Sequence, residues 1–204
     1  SAPADQSATD PTTNIVWSEV PQGNGLGFVS EPLTEDLVAL GPAAAQIRLS
    51  SSAADTDLGL TLSEVRPDGQ EMLISTGVQR ASVRSTDKAQ SSPTVPFFTH
   101  DRKEPLNGST VTVPVQILPL GHVFRAGSRI RIDIHAVGGD AERWAYESVD
   151  PAGGSTLNTV HLGGAQPSSL TMTLAPQRGY PRTLEACPST GRPCRTWIPA
   201  ANGG

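Results

Sequence analysis

The segment Ile130-Arg131-Ile132-Asp133-Ile134-His135-Ala136-Val137 carries an apolar side chain at every second position. Successive side chains of an extended chain point to opposite faces, so this run makes a strand with one buried face and no helical stripe. Residues 45–50, 58–65, 111–117 and 170–174 alternate in the same way. Half-buried strands of this kind build antiparallel sheets. Pro114 removes one amide donor, which assigns its strand to a sheet edge or a bulge. Arg66-Pro67-Asp68-Gly69 supplies a turn: proline presets φ and glycine accepts a positive φ. It joins the strand ending at Val65 to one near 70–75 as a hairpin. The alternation nominates a core of Ile47, Leu49, Leu60, Leu62, Val113, Val115, Ile130, Ile132 and Ile134. It also sets His135 on the polar, solvated face of its strand, and His122 in a turn with a structural hydrogen bond.

Helices have little room in this chain. It holds 20 glycines and 18 prolines in 204 residues, nearly a fifth, where about 12% is usual. Residues 140–148 form the one short helical candidate. No apolar run approaches the ~20 residues of a membrane span, and no repeat of a solenoid or propeller occurs. The expected fold is all-β, a jelly-roll β-sandwich or a related two-sheet sandwich. Residues 1–13 read as a flexible arm, 14–178 as the sandwich, and 179–204 as an irregular C-terminal arm with four prolines. Residues 86–107 lack alternation and read as a long excursion. The chain begins at Ser1 without a Met, as a processed or excised piece would. A formal charge of −5 excludes a general nucleic-acid binder, and 4% aromatics are too few for a base-stacking platform.

Chemistry is sparse. A hydrolase triad needs a nucleophile on a sharp turn, a histidine base and an acid. Gly153-Gly154-Ser155-Thr156-Leu157 comes nearest to the Gly-x-Ser-x-Gly turn, and Leu157 breaks it. His100, His122, His135 and His161 form no i, i+4 metal pair. Gly23-Asn24-Gly25-Leu26-Gly27 is a weak phosphate-loop match, without a clear strand before it or a helix after it. Asp55 and Asp57 offer two of the several oxygens a calcium site needs, and a turn or capping role fits them better. Asn107-Gly108-Ser109 is a formal glycosylation sequon and a stronger turn signal. Cys187 and Cys194 enclose a short Pro/Gly loop, which fits a local disulfide and an oxidising compartment, secreted or cell-envelope. Two free thiols or a metal pair are the other readings. Phe97, Phe98, Trp144 and Tyr146 cluster as core plugs or as a domain interface.

Further motifs carry a resemblance. They are Ser30-Glu31-Pro32-Leu33-Thr34-Glu35-Asp36-Leu37 with Gly41-Pro42, then Ile47-Arg48-Leu49-Ser50-Ser51-Ser52-Ala53-Ala54-Asp55-Thr56-Asp57. After them come Leu62 to Val65 with Pro67-Asp68-Gly69, then Gly77, Arg80-Ala81 and Arg84. Leu118-Pro119, His122-Val123-Phe124, Gly127 and Arg129-Ile130-Arg131-Ile132 close the set. In this order the chain resembles the C-terminal, non-catalytic domain of the X-prolyl dipeptidyl-peptidase family. That family includes the cocaine esterase-like and α-amino-acid ester hydrolases. The likeness runs from about residue 28 to 137 and more weakly to about 175, and it departs at 86–107 and 138–164.

The resemblance implies a galactose-binding-like jelly roll whose catalytic triad lies in a preceding α/β-hydrolase domain. It therefore implies no catalytic residue, cofactor or metal in this chain. The partner it implies is that hydrolase domain of the same polypeptide, with a homo-oligomer formed through the parent enzyme. The expected role is to pack on the catalytic domain and wall its cleft. An independent carbohydrate-binding module is the alternative, with Trp144 and Tyr146 as its platform. A self-standing esterase built on Ser155 is the third reading.

Overall fold

The computed structural model describes residues 17–137, 156–165, 167–180, 183–189 and 191–198. The strands are β1 (Gly25–Val29), β2 (Leu37–Ser51), β3 (Asp57–Val65), β4 (Gln70–Arg80), β5 (Val111–Phe124), β6 (Arg129–His135), β7 (Asn158–Val160), β8 (Ser169–Leu174) and β9 (Cys194–Thr196). One 3-10 turn, Ala81–Val83, follows β4. Among the described residues no helix is long and apolar enough to cross a membrane. The helical candidate at 140–148 lies outside the described residues.

All pairings between these strands are antiparallel. The order across the sheet is β1-β6-β3-β4-β5-β2-β7, with β8 also on β2 and β9 also on β4. The sheet curls on itself into an all-β sandwich. The Arg66–Gly69 hairpin forms as its residues require. Gly69 takes φ +80, its amide donates to the Arg66 carbonyl at 3.1 Å, and the Arg66 amide donates to Gln70.

β4 and β5 meet at one point, Gly77 against Ile117. A Cβ on Gly77 would stand 2.5 Å from the Gln116 carbonyl, so only glycine lets the two backbones cross. Pro114, expected at an edge or bulge, sits where β5 is paired to β2 on one side, opposite Gln46, away from the single meeting with β4. The alternation at 45–50 belongs to a far longer strand. β2 begins at Leu37 and absorbs Gly41-Pro42 in a register shift between Gly41 and Ala43. Within the arm assigned to 179–204, β9 pairs with β4 from Gln70 to Met72, along the stretch that β5 leaves open.

Inward side chains of β2 to β5 make the core. Ile47, Leu49, Leu60, Leu62, Val113 and Val115 are buried there, with Met72, Ile117 and Phe124. Leu106 anchors the end of the 86–107 excursion in the same cluster, its amide donating to Ala54.

β6 reverses part of the expectation. Ile134 is buried, but Ile130 and Ile132 are only partly so, whereas Arg131, Asp133 and His135 on the presumed solvent face are buried. That face is covered by Glu19 and Arg195 from the two ends of the chain. His122 lies within β5, not in a turn, and is buried. Leu62→Ala is therefore expected to cost about 2–5 kcal/mol, from lost transfer energy and a residual cavity. Ile132→Ala is expected to cost clearly less; urea unfolding of both variants reads the difference.

Candidate functional site

Two polar clusters lie on opposite faces of β3. Thr61 and Ser63 project to one face, and Leu60, Leu62 and Glu64 to the other. On the first face Glu71 is wholly buried, its side chain 0% exposed. Ser63 donates to its Oε1 at 2.6 Å. Arg131 and Arg195 donate to its Oε2 at 3.1 and 2.9 Å. Arg131 also donates to Asp133 at 2.8 Å and to both carboxylate oxygens of Glu19 at 3.0 Å. The Arg195 guanidinium stacks over the Trp17 ring at 3.7 Å. Burial works against the Arg131 charge, yet its bonds to Glu19 and the charges of Asp133 and Glu71 outweigh it and raise its pKa. Burial pushes the Asp133 carboxyl up, against the pull of Arg131.

On the second face a cleft of about 430 Å³ opens between β2, β5 and Thr183, Leu184, Glu185 and Arg192. Glu64 and His122 lie on its floor, with Arg66, Arg125, Glu185 and Arg192 around them. His122 Nε2 is 2.8 Å from Glu64 Oε2, and Arg192 Nη1 is 3.0 Å from His122 Nδ1. An arginine only donates, so Nδ1 accepts and Nε2 carries the proton to Glu64. Burial pushes Glu64 up, but the bond from His122 and one from the Arg125 amide at 3.0 Å hold it below the usual carboxylate range. Both imidazole nitrogens are thus engaged by protein, and no hydroxyl or thiol is bonded to the ring among the described residues. The arrangement orients and stabilises; it does not offer His122 as a base to a nucleophile.

Two other histidines touch hydroxyls. His135 Nδ1 donates to the Ala136 carbonyl at 2.7 Å, so Nε2 accepts from Thr61 Oγ1 at 2.9 Å. Thr61 is fully buried and out of a substrate's reach. His135, expected to be solvated, is buried between β1 and β3. His161 Nε2 lies 3.1 Å from Ser50 Oγ, with no carboxylate among its hydrogen-bond partners in the described residues.

The remaining sequence candidates resolve as follows. Asp55 accepts from the amide and hydroxyl of Ser82 at 2.9 and 2.6 Å, and Asp57 grips Arg80 through both oxygens at 2.8 and 2.9 Å. Both carboxylates thus serve as caps and pairs. Gly23 to Gly27 runs from a turn into β1. Asn107 takes φ 49 in a tight turn. Cys187 and Cys194 are joined, their Cα atoms 5.7 Å apart. Phe97 is 48% exposed on the 86–107 excursion, and Phe98 stacks on His100 with centroids 5.6 Å apart. Trp144, Tyr146 and Ser155 lie outside the described residues. Sequence reasoning missed Glu64, Glu71, Arg192 and Arg195. The one available signal was a set of charged residues inside or beside apolar alternation, and the pairings that matter join residues far apart, Glu64 to His122 across 58 positions and Glu71 to Arg195 across 124.

Comparison with known proteins gives a consistent result. Residues 3–171 match the family described as X-Pro dipeptidyl-peptidase C-terminal non-catalytic domain. The cocaine esterase of Rhodococcus sp. (strain MB1 Bresler) is 26% identical over 160 residues, which is 73% of this chain and 25% of that protein. Two solved structures share the fold. A CocE/NonD family hydrolase from Staphylococcus aureus superposes with a TM-score of 0.63 at 20% identity, covering 74% of this chain and 30% of the other. An α-amino acid ester hydrolase superposes at 0.57 with 19% identity, covering 78% and 28%. The chain thus spans between a quarter and a third of the length of these relatives.

Two outcomes test the clusters. A carboxyl held low in the folded state contributes stability above its unfolded pKa and loses it as pH falls. The stability gap between the wild type and Glu64→Gln should therefore be full at neutral pH and close as pH drops below about 4. Asp133, held high, acts with the opposite sign, so the comparison is read from the difference between the two proteins. Arg131→Met strands buried carboxylates and is expected to cost about 3–5 kcal/mol. Asp133→Asn is expected to cost less. Chemical denaturation across pH 3–8 provides both readings.

Proposed function

The chain belongs to the family of X-Pro dipeptidyl-peptidase C-terminal non-catalytic domains, and from that membership we propose that it is the accessory domain of a serine hydrolase. Its role is to pack on an α/β-hydrolase domain of the same polypeptide and to wall that domain's active-site cleft. The parent acts on ester, acyl or X-Pro peptide bonds. One observation carries the reading: the family match takes in most of this chain, while the chain spans only 25% of the cocaine esterase it resembles. On this reading the catalytic machinery lies in the rest of the polypeptide.

The histidines support the same reading: His122 and His135 have both ring nitrogens engaged by protein groups, and His161, beside Ser50, has no carboxylate among its hydrogen-bond partners in the described residues. Phe97, half exposed, and Phe98, both on the 86–107 excursion, are the described members of the proposed docking surface, which also takes in Trp144 and Tyr146. Aromatic side chains suit such a surface because they bury large areas with few rotatable bonds. The Cys187–Cys194 bond supports an oxidising, secreted or cell-envelope location.

The isolated chain is expected to turn over neither p-nitrophenyl esters nor an X-Pro p-nitroanilide above background. The full-length polypeptide should cleave one of them, and Phe97→Ala in that context should lower kcat/KM without unfolding the sandwich. Turnover by the isolated chain that disappears in Ser155→Ala contradicts the proposal and restores the esterase reading.

A further inference from the structure

The C-terminal segment, residues 183–189 and 191–198, lies beyond the residues that match the family, 3–171. It is nevertheless stitched across the end of the sandwich. Arg66 and Arg125 donate to the Glu185 and Thr183 carbonyls, both at 2.8 Å. Arg192 reaches inward to His122 Nδ1 and to the Gly121 carbonyl at 2.7 Å. Three residues on, Arg195 reaches Glu71 on the other face of the sheet. Between the two arginines, Cys194 opens β9 opposite Met72, and the Leu73 amide donates to the Pro193 carbonyl at 3.1 Å. The Trp197 amide donates to Gly69 at 3.0 Å.

Cys187 and Cys194 pack against the core from its edge and Arg195 reaches the buried Glu71; the other contacts are hydrogen bonds. The fully buried apolar core is drawn from residues 39–134, so the segment can leave without emptying it. Short strands held by few contacts are the parts of a fold that open first. The disulfide lies wholly inside the segment. It makes no covalent tie to the sandwich; it closes the loop that carries Arg192 and fixes the spacing of Glu185 and Arg195, which flank it.

We propose that this segment is a redox-locked strap: with Cys187–Cys194 joined it docks and walls the His122 cleft, and on reduction it undocks while the sandwich stays folded. This inference is independent of the proposed hydrolase role. The reductant is a dithiol. Its two electrons and two protons break the S–S bond, two thiols form, and the dithiol becomes a disulfide. Freeing a loop of this length weakens docking by roughly 10- to 100-fold, the loop-closure entropy returned to the undocked chain. Undocking leaves Glu71 paired to Arg131 and Ser63, with water in place of Arg195.

Amide hydrogen exchange on the whole chain tests this, with and without dithiothreitol, alongside carbethoxylation of His122. Reduction is expected to speed exchange of the Leu73 and Trp197 amides roughly 10- to 100-fold. It should raise His122 reactivity and leave the amides of β2, β3 and β5 protected. Cys187→Ser/Cys194→Ser should reproduce the reduced state. Arg192→Ala in the oxidised chain should raise His122 reactivity alone. Unchanged Leu73 exchange on reduction overturns the proposal, because the bond is then a passive staple. Equal acceleration of Leu73 and the amides of β2, β3 and β5 also overturns it, because the strap is then no separate unit.

Discussion

Glu71 holds a carboxylate that solvent does not touch, and an unpaired charge at such a position would cost several kcal/mol. The fold answers with donors drawn from three separate regions of the chain. Ser63 comes from the neighbouring strand, Arg131 from β6 and Arg195 from β9. Each donor fixes an element. Arg131 brings in Asp133 and Glu19, so β6 turns its charged face inward over the sheet. Arg195 seats β9 along the open edge of β4 and takes Trp17 as its lid. The two ends of the described chain are thereby joined over one face of the sandwich.

That dependence explains what the sequence does and does not reveal. Period two identifies β3, β5, β6 and β8 because strand geometry imposes it whatever the partners are. The same alternation does not say which face lies deeper when both are covered. On β6 the charged residues 131 and 133 are more buried than Ile130 and Ile132 because distant residues cover them. The first half of β2 is masked by Gly41-Pro42, which reads as a break yet is absorbed by a register shift. β9 has three residues in a proline-rich context, too few to show a period. The disulfide was legible, since its two partners lie seven residues apart. The His122–Glu64 pair was not, since 58 residues separate them and only folding joins them.

The histidines show why polar residues inside a β-sandwich are poor evidence for catalysis. His122 is held between Glu64 and Arg192, and His135 between Thr61 and the Ala136 carbonyl. In each case the partners satisfy a buried ring that would otherwise be costly. Such pairing lets a sheet carry polar residues on a covered face, and it accords with membership of a non-catalytic domain family. Loops built on this frame, the 86–107 excursion among them, are free to vary without disturbing it.

The central claim is that the Glu71–Arg195 contact is energetic coupling and not mere proximity. A double-mutant cycle with Glu71→Gln, Arg195→Gln and the double variant, read by urea unfolding at neutral pH, measures it directly. The account predicts a coupling free energy above about 1 kcal/mol. Additive effects of the two substitutions would contradict it, because β9 would then be held by something other than the buried charge it covers.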